Sequence, residues 1–199
     1  MHSKTDNPVM DGIITMFERK HMENSNVSAI KNCKTGDVIR FGSYDWFVYA
    51  RENNIISLLC KNSVKTGTYH SENIPLTWEE CDLWKWLNGE FYDQFSPEEK
   101  KVILKTHNNN PINLPNLTRG GRATDDYVFL LSIKEAEKID RSMLCFDTIW
   151  WLRSPGYLQD RAADVLTGGI ISYNGSPFLH QFHAVRPAMN LNVAELLEH

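Results

Sequence analysis

The sequence predicts an α+β domain, twisted antiparallel strands with peripheral helices, and three observations predict it. From Gly36 the runs DVIRFG, DWFVYARE and NIISLLCKN are rich in β-branched and aromatic residues and are divided by Gly42-Ser43 and Asn53-Asn54. That pattern is a three-stranded antiparallel meander. Three helix starts follow at Thr77, Ser96 and Ser132, each with a glutamate three residues on. After Ile149 the runs WWLR, ADVL, GIISYN and HAVRPAMNL alternate with Pro155-Gly156, Gly168-Gly169 and Asn174-Gly175, which spells antiparallel β with tight turns. A chain of 199 residues can bury a substantial core without disulfides or metals, so one domain accommodates all of this.

Taken in order, residues 8–24 (PVMDGIITMFERKHMEN) space Val9, Met10, Ile13, Ile14, Met16 and Phe17 mostly by three and four, the period of an amphipathic helix. Asn24-Ser25-Asn26 then breaks the pattern. Residues 1–28 are therefore expected to be a helix and linker, free to pack on the domain, to meet a partner or to pair copies of the chain. Residues 29–193 form the single domain and 194–199 a tail, in which Leu197-Glu198-His199 reads as the remnant of a purification tag. Thr77-Trp78-Glu79-Glu80, Ser96-Pro97-Glu98-Glu99 and Ser132-Ile133-Lys134-Glu135 each fit the capping box, in which hydroxyl and glutamate satisfy free amides reciprocally. Pro97 takes the first helical position, where its missing amide costs nothing. The first of these helices carries Leu83, Trp84, Trp86, Leu87, Phe91, Tyr92 and Phe95, an aromatic density expected of core. Residues 107–126 (HNNNPINLPNLTRGGRATDD) form a long loop, and loops beyond about 12–15 residues in compact domains tend to be functional or mobile. DYVFLLS is expected as a short buried strand feeding the third helix.

Composition narrows the function. A formal charge of −4 lacks the basic excess that would neutralise phosphates, which argues against a nucleic-acid partner. Cys33, Cys60, Cys81 and Cys145 lie far apart with no CxxC pair, so they are expected as buried free thiols rather than a zinc site or redox motif. No basic segment with a following apolar stretch opens the chain, and no window reaches the ~18 apolar residues of a membrane span. A cytoplasmic location, away from membranes, is the default expectation.

Four stretches carry a resemblance: GDVIRFGSYDWFVY at 36–49, WKWLNGEFYDQFSPEEK at 84–100, TDDYVFLLSIKEAEK at 124–138, and WWLRSPG with the AADV and AVRPAMNL that follow it. In order and spacing they resemble a family of uncharacterised bacterial domains over residues 30–193. The paired tryptophans, glycine turn and arginine-bearing last strand are also similar, more distantly, to the C-type-lectin-like fold. Formylglycine-generating enzymes and bacterial variable ligand-binding proteins share that fold. The resemblance implies an α+β domain and no particular activity.

Its two chemical precedents find no match in the residues. Calcium-dependent sugar binding needs converging oxygen ligands, yet Asn110-Pro111-Ile112 lacks the third ligand and Tyr173-Asn174-Gly175 stands where a Trp-Asn-Asp triplet would. The copper chemistry of formylglycine-generating enzymes needs a cysteine pair, and no cysteine follows Trp150 while Cys145 has no neighbour in sequence. His180 and His183, read as β, point to opposite faces. Gly120-Gly121 lacks the lysine and preceding strand of a phosphate loop. No catalytic residue, metal or cofactor is assigned.

The candidate ligand site is an aromatic cleft. Adjacent strand residues face opposite sides, so one of Trp150 and Trp151 is expected in the core and the other under a loop or lining a pocket. Tyr157, Tyr173 and Phe178 would surround that face, with Arg153 or Arg161 at its rim. Arg153 and Arg186 must be paired or exposed; Asp164, Asp160 or Asp125 are the expected structural partners, and Arg186, Asp164 and Asp125 the expected ion-pair residues. The functional expectation is a non-enzymatic binding or interaction module for a small molecule, glycan or protein. An enzyme on a formylglycine-generating scaffold and a structural module docking through the N-terminal helix are the alternatives.

Overall fold

The structure, a computed structural model, describes residues 25–196. The helix expected at residues 8–24 and the tag remnant 197–199 lie outside them. Eleven strands run in chain order among the described residues: β1 (Val38–Phe41), β2 (Tyr44–Glu52), β3 (Ile55–Cys60), β4 (Lys65–Thr66), β5 (Thr106–Asn108), β6 (Thr124–Asp126), β7 (Trp150–Pro155), β8 (Arg161–Leu166), β9 (Ile170–Pro177), β10 (Ala184–Val185) and β11 (Ala188–Asn192). Besides the helical residues 25–32, four short α-helices accompany them: α1 (Asp82–Trp86), α2 (Pro97–Val102), α3 (Ile133–Ala136) and α4 (Arg141–Leu144).

The expected meander forms: β1, β2 and β3 pair antiparallel in succession. Its turns fall at Gly42 and Asn53, both at positive φ, which glycine and asparagine tolerate best. The last strand returns to it, β11 pairing antiparallel with β3 from Ala188↔Leu59 to Asn192↔Ile55. The second sheet has the order β4-β10-β7-β8-β9. Its one parallel contact, β10 with β7, places β7 at the centre with neighbours on both edges. A two-stranded ladder, β5 with β6, lies inside the expected long loop and fastens its base. The α+β class thus stands in the structure itself.

All three capping boxes are present, at Thr77, Ser96 and Ser132. The first opens a single 3₁₀ turn, Trp78–Glu80, rather than an α-helix, because Cys81 is extended and α1 restarts after it. Beyond α1 the chain widens into a π-helical stretch, Leu87–Phe91. The aromatic positions behave as core: Leu83, Leu87, Phe91 and Phe95 are buried, and Trp84, Trp86 and Tyr92 pack half-buried against them. Buried Asp126 ties these parts together. Its carboxylate accepts from Trp84 Nε1 at 2.7 Å, Thr124 Oγ1 at 2.8 Å, Asn108 Nδ2 at 2.9 Å and Trp78 Nε1 at 3.2 Å. Four donors satisfy a buried carboxylate that has no cation beside it.

Two local expectations change. Residues 25–32 are helical instead of a linker, with Ile30 and Cys33 entering the core and Arg51 capping the segment through the Cys33 and Lys31 carbonyls at 2.6 and 2.9 Å. Of DYVFLLS, the residues Val128–Leu131 are buried as expected, but only Phe129 makes a bridge, to Ala188, so the segment is extended core without a ladder of its own.

Candidate functional site

The tryptophan pair is core on both sides. Trp150 and Trp151 do face opposite ways, yet each is 0 % exposed. Trp150 donates to Leu144 O at 3.0 Å, and Trp151 donates to Gly67 O at 2.9 Å while stacking on His183 with centroids 4.0 Å apart. Period two was the right geometry with the wrong consequence, because β7 is a central strand covered on both faces. Neither ring can line a surface cleft.

Arg153 is likewise committed to structure. The β7–β8 register shifts between Trp151↔Asp164 and Pro155↔Ala162, a bulge that turns Arg153 away from the ladder. Its guanidinium makes a bidentate pair with Glu135, donates to Leu130 O at 2.7 Å and to Asn110 Oδ1 at 3.0 Å, and lies over Phe129. The partner is the capping-box glutamate of α3, which serves two elements at once, and none of the aspartates expected.

Arg186 also lacks an aspartate. It donates to three carbonyls, Cys60 O at 3.0 Å, Leu144 O at 3.3 Å and Met143 O at 2.9 Å, between the rings of Trp150 and Phe146. Burial holds its pKa down at about 10. Asp164 instead pairs with buried His183 at 3.1 Å and accepts from Ser176 Oγ at 2.7 Å, while Asp125 pairs with His107 at 2.8 Å on the surface. Carbonyls at the end of α4 replace the carboxylates because Arg186 reaches the helix C-terminus, where cations are favoured. His180 and His183 lie edge to face, 4.6 Å apart, since residues 180–183 fall in a turn rather than a strand. Cys33, Cys60 and Cys81 are buried, and burial pushes the Cys60 and Cys81 thiols up to about 12; Cys145 is exposed, contrary to expectation.

What remains of the expected site gathers at the bulged end of the second sheet. Gly175, at φ 62, lets β9 cross so close to β8 that a Cβ there would meet Ala162 O at 1.9 Å. The carbonyls this exposes hold the long loop. Asn113 Nδ2 donates to Pro155 O and Tyr173 O, both at 2.8 Å, Asn116 Nδ2 donates to Tyr173 O at 2.9 Å, and Thr118 Oγ1 donates to Tyr157 O at 3.1 Å. Gly120 then passes beneath Asn110 and Pro111, whose carbonyl oxygens would stand 2.2 Å from any Cβ. The glycine pair of TRGGR is thus a packing device of the loop.

Three openings follow this loop, each touching the next. An apolar recess of about 80 Å³ is walled by Pro111, Ile112, Leu114, Pro115, Ile133 and Tyr173, whose hydroxyl donates to Glu137 at 2.5 Å. Ile112 also borders an open cleft of about 540 Å³ with Thr77, Glu79, Asn110, Arg119, Gly120 and Arg122. Behind Gly120 and Thr77 lies a crevice of about 10 Å³, room for no more than a water, where Arg161 meets Tyr69, Trp78 and Phe178.

The charges of this region are unevenly matched. The Arg122 amide donates to Glu79 Oε1 at 3.0 Å, and its Nε lies 3.6 Å from the same oxygen. Burial pushes the Glu79 carboxyl up, but the amides of Arg122 and Glu79 and the Thr77 hydroxyl outweigh it and leave the group below its ordinary range. Arg161 is different. Among the described residues its side chain makes no hydrogen bond or ion pair, and its Nε is shut off from water with no acceptor. The Nη groups are not shut off.

The model of a family described as a domain of unknown function, DUF6273, matches residues 53–193. The chain belongs to that family. No curated protein and no solved structure matches it. The DUF6273 match spans the whole region just described, from the 3₁₀ turn at Trp78 to β9, and leaves β1 and β2 outside. Of the site residues expected in this DUF6273 chain, the structure brings Arg161 and Tyr173 to the openings and leaves Tyr157 exposed beside them; buried Arg153 borders the small crevice with its guanidinium already paired, and Trp150 and Trp151 are interior. Sequence reasoning passed over Glu79, Arg119 and Arg122. The available signal was the TRGGR string inside an overlong loop, weighed only as a phosphate-binding motif. Among the described residues no three metal-ligating side chains converge, and no helix is long and apolar enough to cross a membrane.

Proposed function

We propose that the chain is a non-enzymatic binding module, and that it takes a ligand bearing a carboxylate or phosphate in the cleft between the loop 109–122 and the turn 155–161. Unpaired Arg161 carries this reading. A half-buried guanidinium with a dry, unsatisfied Nε is costly unless something completes it. In the adjoining open cleft Arg119 and Arg122 are matched by Glu79 and Glu80, so the unpaired Arg161 in the crevice behind sets the sign of the region. A planar guanidinium beside aromatic walls is suited to a bidentate oxyanion.

The same reading includes a C-type-lectin-like fold for this bacterial domain. Its support is the return of β11 to the N-terminal meander, the helices set between the two sheets, and a long loop packed on the end of the second sheet. The thiols weigh against an enzyme of the formylglycine-generating kind. Cys33, Cys60 and Cys81 are buried and Cys145 alone is exposed, so the described residues offer no pair of accessible thiols.

Titration calorimetry with glutarate and with inorganic phosphate tests the proposal. Charge-assisted bonds contribute about 1.5–3 kcal/mol each, so two guanidinia give a Kd of about millimolar order. Heat from either anion that disappears in Arg161→Gln supports the reading. No heat with either anion, or equal heat in the variant, overturns it.

A further inference from the structure

The loop that builds the cleft also displays apolar side chains that nothing among the described residues covers. Leu114 is 62 % exposed and Leu117 is 72 % exposed, and Tyr157 and Leu158 stand exposed on the neighbouring turn. These are not stray surface residues on a slack segment. Leu117 is held at φ 58, a left-handed conformation that leucine rarely adopts, and its neighbours Asn116 and Thr118 are anchored by side-chain bonds to Tyr173 O within β9 and Tyr157 O just beyond β7. Such strain persists only where the surroundings over-determine it, and it tends to mark ligand clamps. The recess behind Leu114 is apolar, it shares Ile112 with the arginine cleft, and Arg119 follows Leu117 by two residues. Aliphatic contact and positive charge therefore run side by side along one loop.

The geometry points to an acidic, aliphatic segment of a partner protein as the ligand of this surface, its leucine-like side chains on Leu114, Leu117 and the recess and its carboxylates at Arg161 and Arg119. The inference rests on the anion-binding reading and narrows it from any oxyanion to a peptide. Complementarity selects the class. A glycan offers no carboxylate-plus-aliphatic pair, and a lipid surface would need a broader apolar face than one loop and one turn supply. An aliphatic peptide without acid would leave Arg161 unpaired.

The probe is an acetylated octapeptide of alternating leucine and aspartate, with two controls, serine in place of leucine and lysine in place of aspartate. Fluorescence anisotropy should show the leucine–aspartate peptide binding about tenfold more tightly than the serine–aspartate one, the effect of burying one or two leucines. The leucine–lysine peptide should not bind. Leu117→Asn, which suits the left-handed backbone, should remove the tenfold advantage and leave glutarate affinity and the melting temperature unchanged. Equal affinity of the two aspartate peptides, with glutarate still bound, overturns the peptide inference and leaves the anion reading standing. Failure of glutarate as well removes both. A dimer in sedimentation that Leu117→Asn dissociates would overturn the inference in favour of a second copy of the chain.

Discussion

The centre of the second sheet and its bulged end differ in how they treat polar groups. At the centre, Trp150, Trp151, Arg153 and Arg186 are fully interior, yet every indole nitrogen and both guanidinia have partners within 3.4 Å. At the end, Glu79 Oε2, Asn113 Oδ1, Asp160 Oδ1 and Arg161 Nε are all buried without a partner, four of the six such atoms among the described residues. Native interiors leave few such atoms, and each needs an explanation. The conspicuous WWLR string is thus a satisfied core element, and the inconspicuous loop carries the unspent bonding capacity. Broken local rules of this kind support the binding proposal.

The largest effect should come from the tryptophans. Trp150→Ala or Trp151→Ala is expected to cost about 3–5 kcal/mol of folding free energy in urea unfolding. A loss under about 1 kcal/mol would place one of them outside the core. Next, Glu135→Gln strips the charge from the bidentate partner of buried Arg153 while glutamine can still close the cap, and about 2–4 kcal/mol should be lost; an unchanged midpoint would mean the charge of the pair is dispensable.

A smaller effect separates the two regions by pH. The Glu79 carboxyl lies below its ordinary 4.5 in the folded chain. A depressed acid contributes stability that is fully present above 4.5 and is lost as the pH falls through the folded value. Glu79→Gln should therefore be less stable than the parent above 4.5 and approach it as the pH falls through the folded value, which flattens the acid limb of the stability curve. An identical acid limb in both proteins would contradict the Glu79 geometry. Last, Arg161→Gln should not lower the unfolding midpoint, since it breaks no bond and removes an unsatisfied buried nitrogen.

What the sequence made legible was local. The meander follows from alternation and turn residues, and the three capping boxes from spacing alone, so both survive without knowledge of the tertiary structure. The pairing of Arg153 with Glu135 joins residues 18 apart through a bulge that no periodicity announces. Burial of both tryptophans depended on β10 joining β7 from beyond the hairpins, which makes a central strand of one that reads as half-exposed. Arg161 was legible as a rim arginine beside aromatics. Its isolation was not, because lacking a partner is a property of the surroundings rather than of the residue.

The central claim is that binding resides in Arg161 and stability in Arg153, two arginines of adjacent strands. It is tested by measuring urea unfolding and glutarate titration on Arg161→Gln and Arg153→Met in parallel. The account predicts that Arg161→Gln keeps its unfolding midpoint and loses the glutarate heat, while Arg153→Met unfolds at markedly lower urea. Undiminished glutarate heat in Arg161→Gln would contradict it.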